Sequence, residues 1–191
     1  MLTPSRTDQI VETALQAVRS ASDWKAVLDE LPVPTYITDA DGAVTYWNRA
    51  CVHFAGRQPR LGQDRWCVTW ELYTATGDRL LHEECPMAAA IKGQCEIRGE
   101  VAIALRPDGT RRAFTPYPTP LFDQAGNLTG AVNLLIDVTD EQASALNEQA
   151  VRCKRLADAI HNKRDAAILS KMADGFAATA LALRASTSSN G

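Results

Sequence analysis

The side chains able to do chemistry in this chain are few and scattered. Cysteines stand at positions 51, 67, 85, 95 and 153, an odd count with no C-x-x-C pair. That spacing suits neither a zinc site nor a small disulfide framework, so buried thiols in a reducing compartment are the expected role. The run Leu81-His82-Glu83-Glu84-Cys85-Pro86-Met87 is the densest group of ligand-type side chains. Successive residues point in different directions around a helix, so His82, Glu83 and Glu84 cannot share one ion, and no metal site is expected. His53 reads as a half-buried packing residue. No Ser/His/Asp arrangement or phosphate-cradling glycine loop occurs. His161 lies in His161-Asn162-Lys163-Arg164, without the helical surroundings of a phosphoacceptor, and thirty residues after it are too few for an ATP-binding domain. The expectation is a turn residue and a protein that is not an enzyme.

With 191 residues, 46% of them apolar and 23% charged, the chain has the size and mix of one folded domain with appendages. The net charge of -3 includes no segment basic enough to make nucleic acid a partner. No continuous apolar run approaches the ~20 residues of a membrane span, so no membrane insertion is expected. The opening MLTPSRTDQIVE lacks the basic-then-apolar pattern of a secretory signal, which points to the cytoplasm.

Three segments position these residues. In residues 1–30, Ile10, Val11, Ala14, Leu15 and Val18 recur at helical spacing, and Ser22 can cap a second short helix ending before Pro32 and Pro34. Residues 31–140 change character. Tyr36–Thr38 and Val44–Trp47 are β-prone runs around the turn residues Asp39-Ala40-Asp41-Gly42. Residues 48–93 lack strand alternation and hold helical fragments, one capped by Asn48 and one begun by Pro86 with its exit at Gly93. Strands are then predicted at Glu96–Leu105, Arg111–Thr119 and Leu128–Val138. This is an α+β pattern on an antiparallel sheet. Residues 141–185 return to helix. Leu146, Ala150, Cys153, Ala157 and Ile160 form one narrow seam, and Leu169, Ala173, Phe176, Ala180 and Leu183 a second. A helical hairpin with Asp165 as the second cap is the reading, one long bent helix the alternative. Residues 186–191 read as a disordered tail.

Four landmarks in order make the middle segment resemble a Per-Arnt-Sim (PAS) sensor domain. They are Asp39-Ala40-Asp41-Gly42 with Val44-Thr45-Tyr46-Trp47-Asn48, Arg106-Pro107-Asp108-Gly109-Thr110, Pro120-Leu121-Phe122-Asp123 with Gly126 and Gly130, and Asp137-Val138-Thr139. The resemblance implies a five-stranded antiparallel sheet of order 2-1-5-4-3, with helices enclosing a pocket on one face. It also implies sensing or protein–protein signalling, and a polar junction at Asp137 and Thr139 that couples the sheet to the following helix. The residues alone leave open that this pair only satisfies backbone groups at the strand exit. Val101-Ala102-Ile103-Ala104-Leu105 and Ala131–Ile136 do not alternate, so both sheet faces should be covered. The N-terminal helix or a second subunit would cover the outer one, through Val101 and Ile103, and a homodimer is expected. Output would pass to a downstream signalling protein.

The pocket's occupant is the harder question. Flavin-binding relatives place polar side chains where the register puts Ala104, Phe114 and Leu135, and a reactive cysteine in a run that Gly62–Cys67 does not reproduce. Flavin is therefore disfavoured, since its polar edge would go unpaired. Haem is a weaker alternative, with His82 or Cys85 as axial ligand. A small organic ligand, or none, is favoured. Asn133 would be a polar group on an apolar inner face, bonded to backbone or to a ligand. Arg112, on the face of Phe114, could meet a carboxylate, and Trp66, Trp70 and Tyr73 would line or seal the space.

Overall fold

The computed structural model describes residues 5–187. Helix α1 (Arg6–Ser20) starts at a reciprocal cap, in which Ser5 Oγ accepts from Asp8 N and the Asp8 carboxylate accepts from Ser5 N. After the short helix α2 (Trp24–Asp29), β1 (Thr35–Asp39) and β2 (Val44–Trp47) form a hairpin. Helix α3 (Arg49–Ala55) is capped by Asn48 and ends at Gly56, in the left-handed region at φ 65°. A second hairpin, β3 (Glu71–Thr74) and β4 (Arg79–Leu80), precedes α4 (Pro86–Gly93). Strands β5 (Ala102–Leu105), β6 (Arg111–Pro116), β7 (Thr119–Phe122) and β8 (Leu128–Asp137) lead into α5 (Thr139–Ala159) and α6 (Lys163–Thr187).

Three of the turns use one device. Asp39, Asp108 and Asp123 each turn a side-chain oxygen back onto an N–H two residues on, and a glycine follows at φ 83–85°. These are the Asp- and Gly-containing turn signals that the sequence displays, and each falls at the hairpin bend expected of it.

The sheet is antiparallel in the order β2-β1-β8-β6-β5-β3-β4, with β7 pairing β8 beside β6. Its first five members reproduce the expected 2-1-5-4-3 order. The strand count differs for two reasons. The hairpin β3–β4 extends the sheet inside a segment read as helical, because strands of four and two residues are too short to show alternation. And the strand expected over 111–119 breaks at Tyr117–Pro118, where prolines at 116, 118 and 120 remove alternate ladder donors. The strand expected from Glu96 begins only at Ala102, so Val101 precedes it.

The inner face carries the main core, including Tyr36, Val44, Phe54, Leu72, Met87, Phe114 and Leu135. The outer face is covered by the chain's own helices. Val11, Ala14 and Leu15 of α1 pack on Ile37, Val132 and Leu134, with Ile10 and Val18 at the margin. Leu146, Ala180 and Leu183 of α5 and α6 pack on Ile103 and Ala113. Of the two covers expected, the N-terminal helix takes part of this face, and the C-terminal helices take the part over β5 and β6.

Helices α5 and α6 pack against each other as a hairpin. Asn162, not Asp165, caps α6: its side chain accepts from Arg164 N. Cys153 is half-buried in the seam, but Ile160 is 38% exposed because the helix has ended by then. Helix α6 runs to Thr187, and residues 188–191 of the expected tail lie outside the described residues. The stretch Lys163–Ala185 holds an 18-residue window of mean hydropathy 1.3, and is long and apolar enough to cross a membrane by length and composition. A search for an uninterrupted apolar run misses it, because Lys171 and Asp174 interrupt the stretch.

Candidate ligand pocket and relay junction

The residues expected at the pocket divide among three places. Ala104, Phe114, Asn133 and Leu135 are buried on the inner face, as the two-residue strand period requires. Trp66 and Trp70 line an outer groove, Trp70 at 53% exposure. Tyr73 packs on the opposite face of β3 from Leu72, against the C-terminal helices. Neither Trp70 nor Tyr73 reaches the interior.

The interior space is bounded by Tyr36, Cys67, Cys85, Met87, Phe114 and Asn133 among others, and it measures about 10 Å3. That is the room of roughly one water molecule. Its polar groups are satisfied from within. Asn133 Oδ1 accepts from Tyr117 N at 2.9 Å, its Nδ2 donates to the Tyr36 hydroxyl at 3.0 Å, and that hydroxyl donates to the Trp66 carbonyl at 2.9 Å. Tyr36 is the residue that sequence reasoning missed. The order 2-1-5 places β1 beside β8, but only the register sets Tyr36 directly opposite Asn133. Burial holds the Tyr36 phenol well above its ordinary range, so it stays a neutral donor.

The residues present do not fit flavin or haem. Among the described residues, the buried side-chain atoms without partners are on Thr38, Trp47, Arg57, His82 and Arg112, none of which bounds the interior space. The two haem-ligand candidates do not converge: His82 lines the outer groove and Cys85 the interior. Burial pushes the Cys85 thiol up to about 12, and Cys51 is raised further in the same direction. Thiols so protonated are poor nucleophiles and ligands. No group of three His, Cys, Asp or Glu side chains placed to hold a metal occurs among the described residues.

His82 is held below its ordinary value, first by burial and then by the Arg57 charge. The unfolded chain takes up this proton near pH 6.5, whereas the folded chain resists it until lower pH. As the pH falls from about 6.5 towards the lower folded value, the unfolded state binds more protons, so stability is lost over that window. The urea midpoint should be lower at pH 5.5 than at pH 7.5, and His82→Gln should shrink that difference. An unchanged difference would refute the assignment.

The third place is the strand–helix junction. Arg112 Nη1 lies 3.3 Å from Asp137 Oδ2. Asp137 Oδ1 accepts from Thr139 N at 3.0 Å and from Thr139 Oγ1 at 2.5 Å. Thr139 Oγ1 in turn accepts from Ala113 N at 3.1 Å. The first residue of α5 is thus hydrogen-bonded to the backbone of β6, and the carboxylate that orients it is paired with an arginine of the same strand. Arg112 shares the face of Phe114, but it meets the chain's own carboxylate at the sheet's end.

Comparison with known proteins follows this geometry. The family profile described as the PAS fold matches residues 28–143, more than half of the chain. The chain belongs to the PAS-fold family. Solved PAS-fold relatives are distant. The LOV protein of Rhodobacter sphaeroides is 15% identical, with 94% of this chain and 99% of that one covered, at a TM-score of 0.46. The LOV domain of the blue-light activated histidine kinase of Erythrobacter litoralis EL346 is 23% identical, covering 57% of this chain and 98% of that one, at 0.44. A PAS domain from Colwellia psychrerythraea is 15% identical, covering 60% and 92%, at 0.41. No curated protein matches. PAS-fold membership makes this chain a sensory signalling module in the broad sense.

Proposed function

We propose that this chain is a non-catalytic relay whose sensor core, residues 31–140, controls how the flanking segments at 1–30 and 141–185 pack, and through them a cytoplasmic signalling partner. The junction Arg112–Asp137–Thr139–Ala113 carries the reading. It fastens the first turn of α5 to the central sheet through a few polar contacts at the end of β8, whose middle carries Asn133 and the interior hydrogen-bond chain. A change in strand position at Asn133 has a short covalent path to that turn, and the hairpin's packing on Ile103 and Ala113 is what such a change would loosen.

Thr139→Val tests this, because it keeps the shape but leaves the Ala113 N–H without its acceptor. Hydrogen exchange followed by mass spectrometry should show α5 and α6 exchanging about tenfold faster, a local loss of ~1–2 kcal/mol, with β1 and β2 unchanged. Unchanged protection in α5, or equal loss across the whole sheet, would overturn the relay.

A homodimer belongs to the same reading. Its support is the exposed Val151, Leu156, Ile160, Ile168 and Met172 on the hairpin, not the covered sheet face. Native mass spectrometry reads it directly: twice 20.8 kDa supports the dimer and 20.8 kDa removes it. The tight interior favours a second reading, a structural adaptor that senses nothing. In that case helix packing stays the same whatever binds elsewhere.

A further inference from the structure

The interior of the sensor core is full, but beside it lies a groove of about 730 Å3 between the segment after α3 and the β3–β4 hairpin. That volume is in the range of small-molecule sites. Its acids are largely committed. Asp64 accepts from Arg57 Nη2 at 2.6 Å and from Arg60 N at 2.9 Å, and Glu71 accepts from the Tyr73 hydroxyl at 3.1 Å. Its cations are less so. The carboxylates closest to Arg60 and Arg79 are each 3.8 Å away, too far for a good hydrogen bond, and both side chains are 66% exposed. A guanidinium carries five N–H donors in a planar fork that matches a carboxylate. The same groove is lined by Trp70, half exposed, and by Trp66, a second indole under the Arg65 guanidinium at 5.6 Å. Exposed indole beside under-used guanidinium suits a ligand that is flat and apolar at one end and anionic at the other.

We infer that this groove is the module's input site and that it binds a small aromatic carboxylate, the ring against Trp70 and the carboxylate on Arg60 and Arg79. The inference rests on the relay reading and gives it an entry point. Trp66 links the two spaces: it lines the groove, and its carbonyl accepts from the Tyr36 hydroxyl that ends the Asn133 chain. Trp66 also sits at φ 66°, the left-handed region that a bulky side chain rarely adopts, with its ring against Gly42, where an added Cβ would stand 2.3 Å away. The backbone conformation that holds that carbonyl is thus tied to where the indole rests.

The test uses 2-naphthoate as the probe and 2-naphthamide as its neutral counterpart, titrated by calorimetry into the full chain. Saturable binding with one site per chain is expected. It should weaken by about tenfold or more for the amide, for Trp70→Ala and for the double variant Arg60→Gln/Arg79→Gln, a change of ~1.4 kcal/mol. All three altered side chains are exposed, and thermal melts check that the variants stay folded. No saturation by about 5 mM, equal affinity for acid and amide, or variants that bind like the parent would each overturn the site. Failure here with a normal response to Thr139→Val removes the groove and leaves the relay. Binding with no change in exchange at α5 keeps the groove as a binding site and overturns its role as the input.

Discussion

Replacing Asn48 by alanine should lower the free energy of unfolding by about 3–5 kcal/mol, measured by urea denaturation. The side chain is fully buried and serves three elements at once. Its Oδ1 accepts from Cys51 N at the start of α3 and from Thr35 N at the start of β1. Its Nδ2 donates to the carbonyl of Leu28 in α2 and to that of Val33 just before β1, each at 3.0 Å. Loss of a helix cap alone costs about 1 kcal/mol. The larger figure arises because several backbone groups would be left buried without partners where water cannot replace the amide. Asn48→Asp keeps the two acceptor contacts but sets a carboxylate oxygen against the Leu28 and Val33 carbonyls in a buried site, so at neutral pH it should lose at least as much stability as alanine. A loss below about 1 kcal/mol for alanine would show that α2, β1 and α3 are not joined through this residue.

Gly130→Ala should be comparably severe, at about 3 kcal/mol or more, through sterics instead of hydrogen bonding. A Cβ at this position would lie 1.9 Å from the Thr38 carbonyl oxygen and 3.1 Å from Asp39 Cα, both backbone atoms of the paired strand. No rotamer change relieves a contact with backbone, so β1 and β8 must part. Tyr36 and Asn133 are paired in the same ladder, so their hydrogen bond should weaken together with it. Gly126→Ala is the matched control. Gly126 also has positive φ, at 83°, but a Cβ there meets open space, so only the conformational penalty of about 1–2 kcal/mol applies. Similar urea midpoints for the two variants would refute the close approach at Gly130.

The turns built on Asp and Gly, the Asn48 cap and the Pro86 helix start are local devices, each using side chains within a few residues of the backbone they satisfy. They were legible for that reason. So was the inner-face placement of Ala104, Phe114, Asn133 and Leu135, which needs only the strand period and an apolar context. The hairpin at Glu71–Leu80 was not, although Thr74-Ala75-Thr76-Gly77-Asp78 carried a turn signal, with Gly77 at φ 99°. Its strands are too short to impose a period, and their partner, β5, lies far along the chain. Trp70 and Tyr73 were misplaced for a related reason: aromatic type says that a side chain tends to be buried, not on which side of an element that had not been recognised.

By itself, the sequence carried the landmarks of the family and the helices at both ends, which follow from local propensity and from motifs in a fixed order; the order of the five central strands came with the family resemblance. Only the tertiary structure decided that Asn133 is satisfied by Tyr36 and Tyr117, that the interior holds about 10 Å3, and that the outer sheet face is covered by α1, α5 and α6. Those outcomes depend on register and on side-chain volumes that meet across 16 to 97 residues of sequence. A pattern along the chain names the face a residue occupies, whereas the space left between two faces is set by everything packed into it.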